Sequence, residues 1–328
     1  MTRTSLVVSL AAIVIVQAVV VSGQSSNVVS GQVSKVPLTP WGEPDLQGTW
    51  TAEAELSVPF ERPREYGNRQ ILSDAEFAQR QSQSDRQIQS DNSDFDVETA
   101  DRSTAGQVGS ATSPPPHWLE RRKISRRTSL VIDPPDGRVP PLTREAQERA
   151  QARGPVSGET GADRPQDLSL WVRCIGRGMP GAIFPTVYNA NVQIVQAPGV
   201  VAITYEMIHD TRIIYTDGKS HVGSGIRGYF GDSKGRWDGD TLVVDVTNFS
   251  DKTNYRGSRE TLRLVERIKR VGGGLRYEVR AEDSHTWTAP WTAALDLEPQ
   301  PDGMFEYACH EGNNSMRNIL SGARAAER

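Results

Sequence analysis

Glu206, His209, Asp210 and Arg212 fall within one short stretch, and a carboxylate, an imidazole and a guanidinium at that spacing can move and stabilise charge. Glu206 suits a general base or a polar anchor for a ligand, and Arg212 suits the holding of a developing oxyanion. His221 and His310 stand near strand ends, and either can supply a proton near neutral pH. Glu266 shares one face with Leu262, Leu264 and Ile268, so its carboxylate is carried inward. There it must be paired, ligand-bound or protonated, because an unpaired buried charge is too costly. Ion pairs from Glu206 to Arg212 or Arg267, and from Glu266 to an inward arginine, are the structural alternatives. His221, His310 and Glu311 are also a two-histidine, one-carboxylate set of metal ligands, although no H-x-H or H-E-x-x-H spacing occurs.

Two further patterns bear on chemistry. Gly231-Asp232-Ser233-Lys234-Gly235 matches G-x-S-x-G, the serine-hydrolase elbow, which needs a strand before the serine and a helix after it. Here Arg-Trp-Asp-Gly-Asp and another strand follow, so a tight turn with Asp232 and Ser233 capping backbone amides is the plainer reading. Trp50, Tyr229, Phe230, Trp237, Trp287, Trp291 and Tyr307 either fill a core or line an apolar pocket. The residues expected to touch a ligand are Trp237, Tyr229, Asp232, Glu266 and Glu311. No Gly-rich nucleotide loop between strand and helix occurs, so no cofactor is expected.

Alternation positions these side chains. Leu275, Tyr277, Val279 and Ala281 alternate with Arg276, Glu278, Arg280 and Glu282, giving one buried and one wet face. Strands are predicted at 193–196, 200–209, 211–216, 241–249, 262–271, 275–283, 291–297 and 304–308. Asp238-Gly239, three glycines at 272–274 and Pro198-Gly199 mark turns. On the second strand Glu206 is expected on the same face as Ala202 and Thr204. With the strand that begins near Trp50, eight or nine up-and-down strands can close a barrel. Before them, Ser73 and Glu76 form a capping box for a helix over 73–90, and Thr143 caps a helix to Ala152. The Ser-, Asp- and Pro-rich stretch 91–116 reads as a mobile loop, and 153–167 as a second loop.

The ends and the balance of charge set the compartment. Arg3, the apolar run Leu6 to Val21 and the small residues Ser22-Gly23 read as a cleaved signal peptide over 1–23. The run is short of the roughly 20 residues a bilayer span needs, so no stable membrane span is expected after cleavage. A flexible leader, 24–43, follows. The two cysteines, Cys174 and Cys309, then lie in an oxidising compartment and are expected to pair. A formal net charge of −4 argues against nucleic acid as a partner.

Gly48-x-Trp50 resembles the entry signature of lipocalins and other calycin barrels. Glu206 to Arg212, Gly231 to Asp245 and Glu306 to Asn314 resemble a family of exported bacterial proteins of unknown function. That family's patterns are GDSxGxWxGDTLVV and EYACHEGN. The resemblance implies export and carries no catalytic residue. The expected fold is therefore mainly all-β: an antiparallel calycin-like barrel over 191–328, with residues 44–190 as an N-terminal arm of short helices and loops. The expected product is a periplasmic or secreted barrel that binds a small apolar or aromatic molecule. Acid–base isomerisation, cyclisation or elimination is one use of such a barrel; a carrier without chemistry and a metal-dependent hydrolase are the others.

Overall fold

The chain enters the fold through β1 (Gly48–Thr51), helix α1 (Asp74–Ser93), β2 (Val131–Asp133) and helix α2 (Arg144–Arg153). It then runs through β3 (Asn191–Ala197), β4 (Val200–Tyr205), β5 (Thr211–Tyr215), β6 (Asp232–Asp238) and β7 (Thr241–Thr247). The last elements are β8 (Arg263–Val271), β9 (Gly274–Glu282), β10 (Trp291–Pro299) and helix α3 (Ser315–Ala326). This computed structural model describes residues 36–93, 124–153 and 164–326. The expected signal peptide, the leader up to residue 35, most of the 91–116 loop and residues 154–163 lie outside them. Residues 36–43 of the leader form a compact turn, with Leu38 bridged to Pro44 and the Thr39 amide bonded to the Glu43 carbonyl at 2.8 Å.

Nine strands close a barrel in the order β1-β3-β4-β5-β6-β7-β8-β9-β10, with β1 pairing back to β10 and β2 adding to β10 as a tenth strand. Turn chemistry sets the registers. Gly199 (φ 79°), Gly239 (φ 61°) and Gly272 (φ 58°) supply the left-handed positions of three two-residue hairpin loops. The barrel is mostly antiparallel with one exception. The connection 216–231 carries the chain back across the barrel, so β5 meets β6 in parallel at Tyr215 and Lys234. Up-and-down order therefore breaks once. The arm supplies β1 and β2, and Arg127 ties it to β10 through the Ala294 carbonyl at 2.7 Å.

Inward-facing residues fill the barrel. Ile203, Ile214, Leu242, Val244, Leu264, Tyr277, Val279 and Leu295 are all fully enclosed. Each such aliphatic side chain contributes about 1.5–3 kcal/mol of burial. The predicted alternation of β9 is present, and Glu266 points inward as expected. The capping box of α1 is also present: the Ser73 amide donates to Glu76 at 2.8 Å.

Several strand expectations are corrected. Gly231–Gly235 is no tight turn, because Asp232–Asp238 is strand β6, with Gly235 inside it. A Cβ there would collide with Ile214 and Thr216, so glycine lets β5 and β6 approach. The predicted strand 200–209 ends at Tyr205, since Ile208 (φ 71°) and His209 (φ 56°) take left-handed backbone. Residues 304–308 are not a strand. Side chains rather than a neighbouring strand take up their amides: Phe305 N donates to Glu206 and Tyr307 N to His209. Among the described residues no helix is long and apolar enough to cross a membrane.

Candidate functional site

Strand β5 carries Arg212 and strand β8 carries Glu266 into the barrel interior, where Arg212 Nη1 donates to Glu266 Oε2 at 2.7 Å. The Tyr277 hydroxyl of β9 donates to Glu266 Oε1 at 2.5 Å. All three are enclosed. Burial alone would lower the Arg212 pKa, but Glu266 and the phenols of Tyr205 and Tyr277 outweigh it, and the net shift is upward. Burial pushes Tyr205 up to about 12 and Tyr277 well above the phenol range. Arg212 thus stays cationic inside a packed core, as half of a structural ion pair.

Glu206 lies at the corner between β4 and β5, and the local backbone explains its burial. The strand ends at Tyr205, Glu206 adopts helical dihedrals, and its side chain swings inward instead of facing outward with Ala202 and Thr204. Its carboxylate accepts from Asn191 Nδ2 at 2.8 Å, Asn191 N at 3.3 Å and Phe305 N at 2.7 Å. It pairs with neither Arg212 nor Arg267. Its three N–H partners make it the staple of the C-terminal segment. His209 adds a second tie, accepting from Tyr307 N at 3.1 Å. Cys174 and Cys309 form the third as a disulfide, with Cα atoms 5.8 Å apart. Left-handed non-glycine residues gather here: Cys174 (φ 53°), Asn189 (φ 50°), Ile208 and His209. Such strain persists only where surrounding bonds enforce it, and it clusters at ligand clamps. Asp210, on the same corner, has a buried Oδ2 without a hydrogen-bond partner among the described residues, and burial raises its pKa to about 6.

The remaining expected site residues do not converge. His221 sits between two aspartates on the outside of β6 and β7, with Nδ1 at 2.7 Å from Asp232 Oδ2 and Nε2 at 4.0 Å from Asp245 Oδ2. Arg263 grips Asp245 at 2.9 Å. That is a surface network. His310 and Glu311 are exposed on the C-terminal segment. Among the described residues no three His, Cys, Asp or Glu side chains gather as metal ligands, so His221, His310 and Glu311 do not form the metal set considered above. Trp237 packs against the core from β6, and Ser233 is buried inside the barrel without the helix an elbow requires.

A cleft of about 840 Å³ lies outside the barrel, and none of its lining residues belongs to a strand. Helix α2, residues 166–178 and the loop 251–257 wall it, with Tyr229 at one side. Of the expected ligand contacts, Tyr229 alone lines it. Leu168, Leu170, Trp171 and Tyr255 give it apolar and aromatic surface, and Trp171 is 46% exposed. Tyr255 is stacked on Trp291 with ring centres 6.2 Å apart, which fixes its orientation. Gly176 is a tight spot in the wall, where a Cβ would collide with Phe230 and Asp210. The strained disulfide corner thus adjoins the cleft through residues 174–178.

No family model matches the chain, and no curated protein is significantly similar to it in sequence. Sequence reasoning missed Trp171, Arg173, Arg177, Tyr255, Arg256 and Arg259. The available signal was local: Arg173 and Arg177 bracket a disulfide cysteine in a loop containing Gly176 and Gly178.

Proposed function

We propose that the protein is an exported carrier that holds a small organic molecule with an aromatic or apolar body in the cleft between α2, residues 166–178 and the 251–257 loop. The cleft itself carries the proposal. Its volume of about 840 Å³ suits an organic ligand of ordinary size, and its lining mixes aromatic surface with a few convergent polar groups. The disulfide and the resemblance of the two long motifs favour export.

Carriage is favoured over acid–base turnover by the engagement of the groups nominated for it. Glu206 spends both oxygens on backbone and amide donors, and Arg212 spends its charge on Glu266. A general base must reach the proton it abstracts, and these side chains are enclosed.

The test is a fluorescence titration with N-phenyl-1-naphthylamine, a neutral aromatic probe. Saturable one-to-one binding is expected in the wild-type chain, weakened at least several-fold by Trp171→Ala. Trp171 is exposed, so its loss spares the core. Absence of saturable binding, or binding indifferent to Trp171, would overturn the proposal.

A further inference from the structure

We propose that the cleft selects an organic anion, and that Arg177 holds the carboxylate, sulfonate or phosphate group of that ligand. This rests on the cleft being the binding site.

Charge is the first argument. Among the described residues, Arg149, Arg173, Arg177, Lys252, Arg256 and Arg259 line the cleft, against the single carboxylate of Asp251. The chain as a whole carries a formal −4, so the cleft runs against the protein's own balance. Two of the six cations are spoken for: Arg149 pairs with Glu145 at 2.7 Å, and Arg256 lies 3.6 Å from Glu61. Among the described residues the other four form no ion pair. A cleft with surplus positive charge and low-dielectric walls concentrates anions.

Arg177 stands out among the sheltered arginines by what it lacks. Arg62 is enclosed and donates to Thr128 Oγ1 and to the carbonyls of Gly67 and Pro135. Arg212 is enclosed and has Glu266. Arg177 is also largely sheltered, yet among the described residues its side chain donates a single hydrogen bond, to the Phe184 carbonyl at 3.2 Å. Burial presses its pKa below the ordinary guanidinium value, with the phenols of Tyr188, Tyr255 and Tyr307 acting the other way. A sheltered cation is costly unless an anion or a set of dipoles compensates it. The planar fork of N–H donors matches a carboxylate, sulfonate or phosphate bidentately.

The surroundings hold that fork in place. The disulfide at Cys174 and the left-handed backbone there fix the loop that presents Arg177. Tyr188 and Tyr307 stack at 6.4 Å beside it. Trp171 and Tyr255 supply surface for the body of the ligand, and the volume of about 840 Å³ leaves room for one larger than an inorganic ion.

Two probes that share one aromatic skeleton test this with the full mature chain. They are 8-anilinonaphthalene-1-sulfonate and neutral N-phenyl-1-naphthylamine, which differ only by the sulfonate. The wild type is expected to bind the sulfonate about 10- to 100-fold more tightly, the range for charge-assisted hydrogen bonds. Arg177→Gln should erase that preference while neutral-probe affinity stays within about twofold, and Arg177→Lys should restore part of it. Arg267→Gln, on β8 and paired with Asp238 at 3.1 Å, should leave the preference intact. If Arg177→Gln lowers the melting temperature, Arg173→Gln and Arg259→Gln serve instead, each reducing the preference. Equal affinity for the two probes in the wild type, with the neutral one bound, overturns the anion inference and leaves the cleft reading standing. A preference that survives Arg177→Gln in a chain of unchanged melting temperature, or that survives all three glutamine variants, overturns it too. Failure of both probes to bind overturns the cleft reading and this inference with it.

Discussion

Replacing Glu266 by Gln removes the charge opposite Arg212 while keeping the shape of the side chain. The ion pair is 2.7 Å long between side chains that are 4% and 0% exposed, so water does not replace the lost partner. Breaking one side of a buried pair costs about 3–5 kcal/mol, because the other charge stays buried alone. That is at least about a fifth of the stability of a typical domain, about 5–15 kcal/mol, and all of it for a marginal one. Removing the whole network is different. Arg212→Met with Glu266→Leu would still leave the Tyr277 hydroxyl without its 2.5 Å acceptor, at about 1–3 kcal/mol, so Tyr277→Phe completes the set. The triple variant should return to within about 2 kcal/mol of wild type or exceed it. Urea unfolding at pH 7, followed by tryptophan fluorescence and far-ultraviolet circular dichroism, measures both. Because the network is enclosed, the triple variant should also bind the naphthyl probes as the wild type does. A Glu266→Gln loss under about 1 kcal/mol would refute the buried-pair argument. A triple variant that is folded but blind to both probes would show that the barrel interior takes part in binding.

Other outcomes follow from the corner and the disulfide. Glu206→Ala strands three donors and should cost about 3 kcal/mol or more. Hydrogen exchange should then show the Phe305 amide opening faster; an unchanged Phe305 rate would dismiss the staple. Asp210 has a folded pKa of about 6, above its unfolded value, so its contribution is fully present below about pH 4 and is lost as pH rises through 6. Asp210→Asn should therefore raise the melting temperature at pH 7.5 and flatten its fall between pH 4 and 6. A lower melting temperature at pH 7.5 contradicts this. Reducing the Cys174–Cys309 bond, which spans 135 residues, should cost up to about 4–5 kcal/mol on the chain-entropy model, read as a lower urea midpoint.

Much of the barrel was legible because its signals are local. Asp238-Gly239 and the glycines after Val271 dictate hairpins by their own dihedral freedom, and the alternation from Leu275 to Ala281 needs one buried face. The inward path of Glu266 followed from the same alternation, and the pairing of two cysteines from compartment. Glu206 was misread because period-two reasoning assumes a continuous strand. Left-handed Ile208 and His209 are enforced by contacts with residues about 100 positions later, which no local pattern records. The stretch from Gly231 was taken for a turn because its two glycines look like one. Gly235 instead makes room for Ile214 and Thr216 of the neighbouring chain segment. The cleft was invisible for a related reason. Arg177, Trp171 and Tyr255 sit in loops that carry no periodicity, and contacts remote in sequence, the Cys174–Cys309 bond and the stack of Tyr255 on Trp291 among them, hold those loops in place.

The seam of the barrel sets the order in which it can assemble. Strands β3 to β5, β6 to β7 and β8 to β9 join through short turns, and β7 reaches β8 through residues 248–262, so these pairings form between chain neighbours. The arm's contacts are of another kind: Trp50 closes the barrel by meeting Val192 on one side and Pro299 on the other, and Val131 adds to its edge at Ala293. Closing such long loops costs entropy before any contact repays it, which places the seam late on the folding route. Interactions absent from the transition state govern how fast a native molecule opens. The four residues of β1 and the three of β2 therefore act as a latch: strengthening them lengthens the lifetime of the closed barrel and leaves its rate of formation almost untouched.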